Sequence, residues 1–286
     1  IYGEWSVVLS FLWPALIVLA LGLITSLRTP QNTKIYARDG LAIVALVWVL
    51  MSVFGAMPFV ISGEIPSFVD AFFETVSGFT TTGSTILTDV EALSHGTLFW
   101  RSFSHWIGGM GVLVFAMAVL PMTDGRAMHL MRAEVPGPTC GKISSKLSDS
   151  AKILYAIYLV MTVIETILLC AGGMPLFESM LTAFGAAGTG GFGFKNDSFT
   201  SFSPYIQWVV TIFMILFGVN FNAYFLLLLR KFNRAISEEV RGYFAIILVA
   251  IGIITANIYS LYNSFGEAVR QAAFQVGSII TTTGFS

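Results

Sequence analysis

The sequence predicts an all-α polytopic membrane protein assembled from repeats of one helical unit. Three observations carry that prediction. Of 286 residues, 56% are hydrophobic and only 11% charged, with a mean hydropathy of +0.80. A soluble domain carries roughly 25% charged residues, so the surplus apolar surface here needs lipid as its solvent. Six stretches, roughly 5–27, 41–62, 98–121, 152–173, 204–229 and 243–262, are long enough to cross about 30 Å of hydrocarbon. One short phrase also recurs: Thr80-Thr81-Thr82-Gly83, the diverged Gly188-Thr189-Gly190-Gly191, and Thr281-Thr282-Thr283-Gly284, with closing glycines 108 and 93 residues apart. That period suits a repeated membrane unit better than a soluble solenoid.

Taken in order, 5–27 is a leading span with Glu4 before it, where a signal peptide would carry a basic region. The chain is therefore expected to start after residues that are not present. Twelve of the fifteen Lys and Arg residues fall in three connections, 28–39, 121–152 and 230–241; Arg101, Lys195 and Arg270 lie outside them. The positive-inside bias makes all three connections cytoplasmic and puts the N-terminus outside. The remaining connections are external, and each holds one copy of the phrase behind a helix too short to span. Ser67 and Asp70 have capping-box spacing and open a helix to about Gly78. Eleven residues reach roughly 16 Å, about half a bilayer. Pro175 suits the first turn of a helix ending near Gly185, and Ser264 with Glu267 repeats the capping spacing before a helix ending near Ile279. The register agrees between copies: Ala71, Phe73 and Ser77 match Ala272, Phe274 and Ser278. The resulting organisation is a leading helix and connector (1–40), a first unit (41–121), a cytoplasmic loop (122–151), a second unit (152–229), a loop (230–242), and a third unit (243–286) that stops just after its turn.

The physics of such a unit points to a cation path. Non-helical backbone at membrane depth is tolerated only where protein buries it or where it lines a watery cavity. A half-helix ending there directs its unpaired carbonyls, and about half a negative charge, at whatever lies ahead. Threonine carbonyls in an extended strand replace an ion's water, and glycine supplies the backbone freedom that such a ladder needs. None of the turns holds a carboxylate, which favours a monovalent ion of low hydration cost such as K⁺ over Mg²⁺ or Ca²⁺. Three copies on one side of the membrane argue far more strongly than one Thr-Thr-Thr-Gly, which packed membrane helices also use.

The run from Phe72 to Ser84, together with Phe99-Trp100-Arg101-Ser102, Trp106-Ile107-Gly108-Gly109-Met110-Gly111 and the cytoplasmic Arg132-Ala133-Glu134-Val135-Pro136-Gly137-Pro138-Thr139, resembles TrkH-type potassium-uptake proteins of the Trk/Ktr/HKT superfamily. Gly188-Thr189-Gly190-Gly191-Phe192 and Phe274 to Phe285 look like that family's second and third pore loops, so the likeness runs over essentially the whole chain. It implies a pseudo-four-fold pore of helix–pore-helix–filter–helix modules, of which about two and a half are present. Each repeat would give one glycine-containing filter strand, here closed by Gly83, Gly191 and Gly284, and the carbonyls of Thr81, Thr82, Thr189, Gly190, Thr282 and Thr283 would coordinate K⁺. The broader ion-binding set adds Thr80, Gly188 and Thr281. The resemblance also implies a homodimer in the bacterial inner membrane, gated by a TrkA-type cytoplasmic nucleotide-binding regulator. The leading helix favours the TrkH branch, and Gly83 favours K⁺, since sodium-preferring plant relatives carry serine there. The alternative within the superfamily is a Na⁺- or H⁺-coupled K⁺ symporter, or a less selective Na⁺/K⁺ pathway. Because the third exit helix, the fourth repeat and the gate are missing, the chain is expected to be a fragment that does not transport alone.

Other residues admit two readings. Glu165, in mid-span, is either a proton or ion relay or a carboxyl that faces helix neighbours and is satisfied by a hydroxyl or a protonated state; Glu74 and Glu178 either focus cations at the outer mouth or bond backbone amides. Arg101 and His105, spaced i and i+4, read as interface anchors ahead of ion handling, and Trp100 and Trp106 as an outer aromatic belt. Gly108, Gly109 and Gly111, and the comparable Gly218, Asn220 and Asn222, read as close packing positions. The loop 121–152 is either a regulator contact or a plain connector. Cys140 and Cys170 read as free thiols, and His95, His105 and His129 lack metal-ligand spacing. No cofactor in this chain and no nucleic acid are called for, only K⁺ as cargo. An intramembrane enzyme would need a nucleophile and base or a H-E-x-x-H pair, which are absent. A carrier of inverted repeats would present its turns from opposite sides, and these all enter from outside.

Overall fold

The computed structural model of the protein describes residues 2–27, 37–111 and 147–286, and among these it is all helix with no strand. Helix α1 (Trp5–Ser26) is followed by α2 (Ala37–Ser62), the short α3 (Phe68–Phe79) and α4 (His95–Gly109). The next group is α5 (Leu147–Ala171), the short α6 (Leu176–Ala187), α7 (Pro204–Phe217) and α8 (Phe221–Leu228). A single turn, α9 (Phe232–Ala235), leads to α10 (Glu238–Ile258), a 3₁₀ turn at Tyr259–Leu261, and α11 (Phe265–Ile280).

Helix starts follow local chemistry. Ser67, Ser94, Ser203, Ser237 and Ser264 each accept a hydrogen bond from the amide three residues on, satisfying one of the orphan donors of a helix N-terminus. The start of α4 gains a second cap from outside its own chain segment. Glu4 accepts from the amides of His95 and Gly96 at 3.1 Å, and its carboxylate lies 2.9 Å from His95 Nδ1. Burial alone would raise this carboxyl, but the His95 side chain and those two amides outweigh it and hold Glu4 below its usual range.

Among the described residues, four helices, Trp5–Ser26, Leu41–Ser62, Lys152–Ala171 and Glu238–Leu261, are apolar and long enough to cross a membrane, and the protein is a multi-pass membrane protein. The expected third span begins as α4, and its part from residue 112 lies outside the described residues, as does most of the loop 121–152 with Cys140. The expected fifth span, 204–229, is not continuous: α7 and α8 meet at 90°. The break has a local cause. Gly218 ends α7, where a Cβ would lie 2.5 Å from the Tyr243 hydroxyl and 2.8 Å from Thr281 Cγ2. Asn220 Oδ1 then accepts from the Asn222 amide and starts a new helix.

The two short helices α3 and α6 and the longer α11 form the centre. α4 packs between α3 and α6, and α7 between α6 and α11, while α2, α5 and α10 cover α3, α6 and α11 from outside. The burial pattern is inverted relative to a soluble protein. Leu9, Leu46, Ile167 and Leu248 are exposed, whereas Arg101, His105, Glu74 and Glu165 are among the largest fully buried side chains.

Candidate functional site

The three recurring phrases adopt one backbone form. Each follows the C-terminus of a central helix: Thr80 caps α3, Gly188 caps α6 and Thr281 caps α11. The next residue is left-handed in every copy, with φ of +55° at Thr81, +51° at Thr189 and +60° at Thr282. Two residues on, the glycine is left-handed again, at +74° for Gly83, +72° for Gly191 and +84° for Gly284. Glycine adopts that region freely, but a β-branched residue there is strained, a state that usually marks function. The left-handed cap folds the chain back so that Thr82 N–H reaches the Ser77 carbonyl at 2.9 Å and Gly190 N–H the Gly185 carbonyl at 3.0 Å.

The turns lie side by side. A Cβ on Gly83 would collide with the carbonyl oxygen of Gly190, and one on Gly191 with the carbonyl oxygen of Thr283. The Thr283 carbonyl also lies 3.8 Å from the Gly83 Cβ position, so the first and third turns face each other closely. Gly284 has nothing within 4 Å of its Cβ position among the described residues. The structure thus sets the three turns against one another, with the Gly190 carbonyl against the bare Cα of Gly83 and the Thr283 carbonyl against that of Gly191.

The model of the TrkH family, described as a cation transport protein, matches residues 7–286. The chain belongs to the TrkH family. Among relatives of this TrkH-family chain, the Trk system potassium uptake protein TrkH of Salmonella typhimurium is 36% identical over 266 residues, covering 90% of this chain and 54% of its own. TrkH of Escherichia coli gives the same identity and coverage, and TrkG of Escherichia coli is 31% identical over 264 residues. The TrkH-family chain therefore spans about half the length of the curated relatives it matches. The crystal structure of the potassium transporter TrkH from Vibrio parahaemolyticus superposes with a TM-score of 0.77 at 27% identity, over 97% of this chain and 62% of that one. These relatives are named as transporters, in line with a non-enzymatic reading.

Behind the turns, the structure corrects several side-chain readings. Arg101 is 2% exposed and His105 is 0% exposed, so neither anchors an interface. Arg101 pairs with Glu74 of α3 at 2.8 Å, donates to the Gly193 carbonyl at 3.2 Å, and lies 4.1 Å over the Phe192 ring. Glu74 also accepts from Thr85 Oγ1 at 2.8 Å and from the Ile86 amide at 3.2 Å. It therefore bonds a backbone amide and does not focus cations at the mouth. One ion pair thus ties the chain leaving the first turn to the chain leaving the second. Trp100 and Trp106 are half-buried and donate to the Gly55 carbonyl and to Thr162 Oγ1, so they lock helices together instead of forming a belt.

Glu165 is fully buried, and neither carboxyl oxygen has a hydrogen-bond partner among the described residues. Outside the turns, Asn196 holds together the loops that follow the first and second turns: its side-chain amide nitrogen donates to Asp89 at 2.8 Å, and its Oδ1 accepts from Val90 N–H at 2.9 Å.

Proposed function

We propose that this chain supplies three strands of a carbonyl-lined potassium filter through which K⁺ enters the cell. The carbonyls of Thr81 and Thr82, Thr189 and Gly190, and Thr282 and Thr283 replace the water of the ion; Gly83, Gly191 and Gly284 supply the left-handed backbone of each strand, and Gly83 and Gly191 also let neighbouring strands run close. The observation that carries this reading is the interlock of bare Cα atoms with carbonyls across three turns of identical backbone form. The C-terminal ends of α3, α6 and α11 add a partial negative charge behind each strand, which favours a cation without a fixed carboxylate. Relatives named for potassium uptake support the choice of ion.

The pathway belongs to a bacterial inner-membrane protein that works as a homodimer, with a TrkA-type nucleotide-binding ring on the cytoplasmic face acting as its gate. The basic cytoplasmic connections support that side for the regulator.

The test is ⁸⁶Rb⁺ and ²²Na⁺ uptake into vesicles carrying the protein from its complete gene. Uptake favouring Rb⁺ is expected, and Gly83→Ser is expected to weaken that preference. Flux ratios left unchanged by the serine count against the assignment.

A further inference from the structure

The second turn departs from the other two in what holds it. In the first turn, Thr80 Oγ1 lies 2.8 Å from Thr82 Oγ1 and bonds the Val76 carbonyl at 2.7 Å. The third repeats this brace: Thr281 Oγ1 is 2.8 Å from Thr283 Oγ1 and bonds the Gly277 carbonyl at 2.7 Å. At the corresponding positions the second turn has Gly188 and Gly190, with no side chain to brace anything. A Cβ on Gly190 would lie 2.5 Å from Nδ1 and 2.6 Å from Cδ2 and Cε1 of His105. The imidazole of α4 thus stands where the Thr82 and Thr283 side chains stand in the other turns. Its Nδ1 accepts from the Phe192 amide at 3.4 Å, and its ring stacks on Phe192 at 4.1 Å.

Resting on the potassium-filter reading above, we infer that His105 is a positioning residue for ion selection, an external substitute for the hydroxyl brace missing from the second strand. It touches no ion; it fixes where the carbonyls of Thr189 and Gly190 point. Strand geometry held by packing alone relaxes when the packing group is removed, and a filter misplaced by a fraction of an ångström loses discrimination before it loses conduction.

The brace can be exchanged. Gly190 does not have a left-handed backbone, so a β-branched residue is conformationally allowed there once the ring is gone. Gly188 offers no such swap, because its Cβ would meet the His105 backbone. The experiment compares ⁸⁶Rb⁺ and ²²Na⁺ uptake into vesicles for the wild-type protein from its complete gene, His105→Ala, Gly190→Thr and the double variant, each checked for monodispersity in detergent. His105→Ala is expected to lower the Rb⁺/Na⁺ ratio about tenfold, equivalent to about 1.4 kcal/mol, with total uptake retained. Gly190→Thr alone is expected to lower it too, because its side chain runs into the imidazole. The double variant is expected to return to within about threefold of wild type. An unchanged ratio in His105→Ala, beside a selective wild type, overturns the inference. If the alanine variant does not fold, the double variant decides: folded and selective supports the brace, folded and unselective overturns it. A wild type that does not prefer Rb⁺ fails at the filter reading itself.

Discussion

The first and second turns sit in the same frame but are backed by opposite chemistry. Behind the first, α3 presents Glu74 and α4 presents Arg101, a buried pair at 2.8 Å. Behind the second, the matching positions are Thr182 on α6 and, with Gly218 aligned on Gly108, Thr211 on α7. Thr182 Oγ1 reaches Met174 Sδ at 3.7 Å, and Thr211 bonds its own helix at Gln207. The task is the same in both places: backbone groups of the strands leaving the turns must be satisfied away from water. Around the first turn the ion pair does this, at the Ile86 amide and the Gly193 carbonyl. Farther round, neutral groups suffice: Ser278 Oγ donates to the Phe285 carbonyl at 2.6 Å, Gln207 donates to the Phe199 carbonyl at 3.0 Å, and Phe199 N–H bonds the Ser286 carbonyl at 2.8 Å. The charge is therefore one of two solutions to a backbone problem, and it carries a liability the neutral solution lacks. Losing either partner strands the other in a dry interior.

The largest predicted effect follows from that liability. Glu74→Gln is expected to lower unfolding free energy in detergent by about 3–5 kcal/mol. Thr182→Val, at the same register behind the second turn, is expected to lose about 1 kcal/mol. Equal losses at the two sites would dissolve the contrast. Glu74→Met with Arg101→Met sharpens it. An isolated ion pair replaced by apolar residues is often neutral, but here the Ile86 amide and Gly193 carbonyl also lose a partner; with Ile86 39% exposed, water makes good part of the loss, and a deficit of about 1–3 kcal/mol in all is expected to remain.

Strain gives the next effect. Thr81, Thr189 and Thr282 are left-handed β-branched residues, a conformation that costs about 1–2 kcal/mol. Replacing one by glycine is expected to raise stability by up to about 1 kcal/mol, after the greater freedom of the unfolded glycine chain is counted. The same change is expected to lower ion preference. A fall in melting temperature at all three positions would mean that the threonine side-chain contacts outweigh the strain.

Glu165 is a buried carboxyl that, unlike Glu74, has no hydrogen-bond partner among the described residues. Ionised at mid-span it would cost about 2.5–3.5 kcal/mol, so an amide of the same shape should replace it readily. Glu165→Gln is expected to change stability by under about 1 kcal/mol and leave uptake intact. Uptake lost in a folded Gln variant would favour the relay reading.

What could be read from residues alone was local or repeated. The starts of α3 and α11 follow from the serines at 67 and 264, and the turns from their repetition, with helix ends at Phe79, Ala187 and Ile280 within two residues of those expected. The bend at Gly218–Asn220 was present as a glycine and a capping asparagine inside an apolar run, but hydropathy averages over such a pair. Arg101 and His105 were misplaced because a basic residue near the end of a span resembles an interface anchor. Only the packing of α4 between α3 and α6 carries them inward, to a glutamate 27 residues away in sequence. A usable signal existed: Glu74 is the one acidic residue of α3 beyond its first turn and Arg101 the one Lys or Arg of α4, and such opposite charges on adjoining apolar helices tend to meet.

The smallest effect lies at the exposed surface, where the loops that follow the first and second turns meet. Asp89 is held below its ordinary value of 3.8, first by the hydrogen bond from the Asn196 side chain, then, against a slight burial penalty, by the amides of Glu91 and Ala92. A carboxyl lowered in the folded state contributes above its unfolded value and ceases to contribute as pH falls through the folded one. The clamp is therefore constant from neutral pH down to about 4 and loosens only below that. Hydrogen exchange at the Val90 amide, which bonds Asn196 Oδ1, is expected to quicken beyond its intrinsic pH dependence only in that acid range. Asp89→Asn is expected to remove the acid step while leaving the buried Glu74–Arg101 pair untouched, because a solvent-exposed clamp and a dry ion pair answer to different solvents. An acid step that persists in the asparagine variant would move its origin to another carboxylate, with Glu91, which accepts from the Asn196 amide at 3.0 Å, the next to replace.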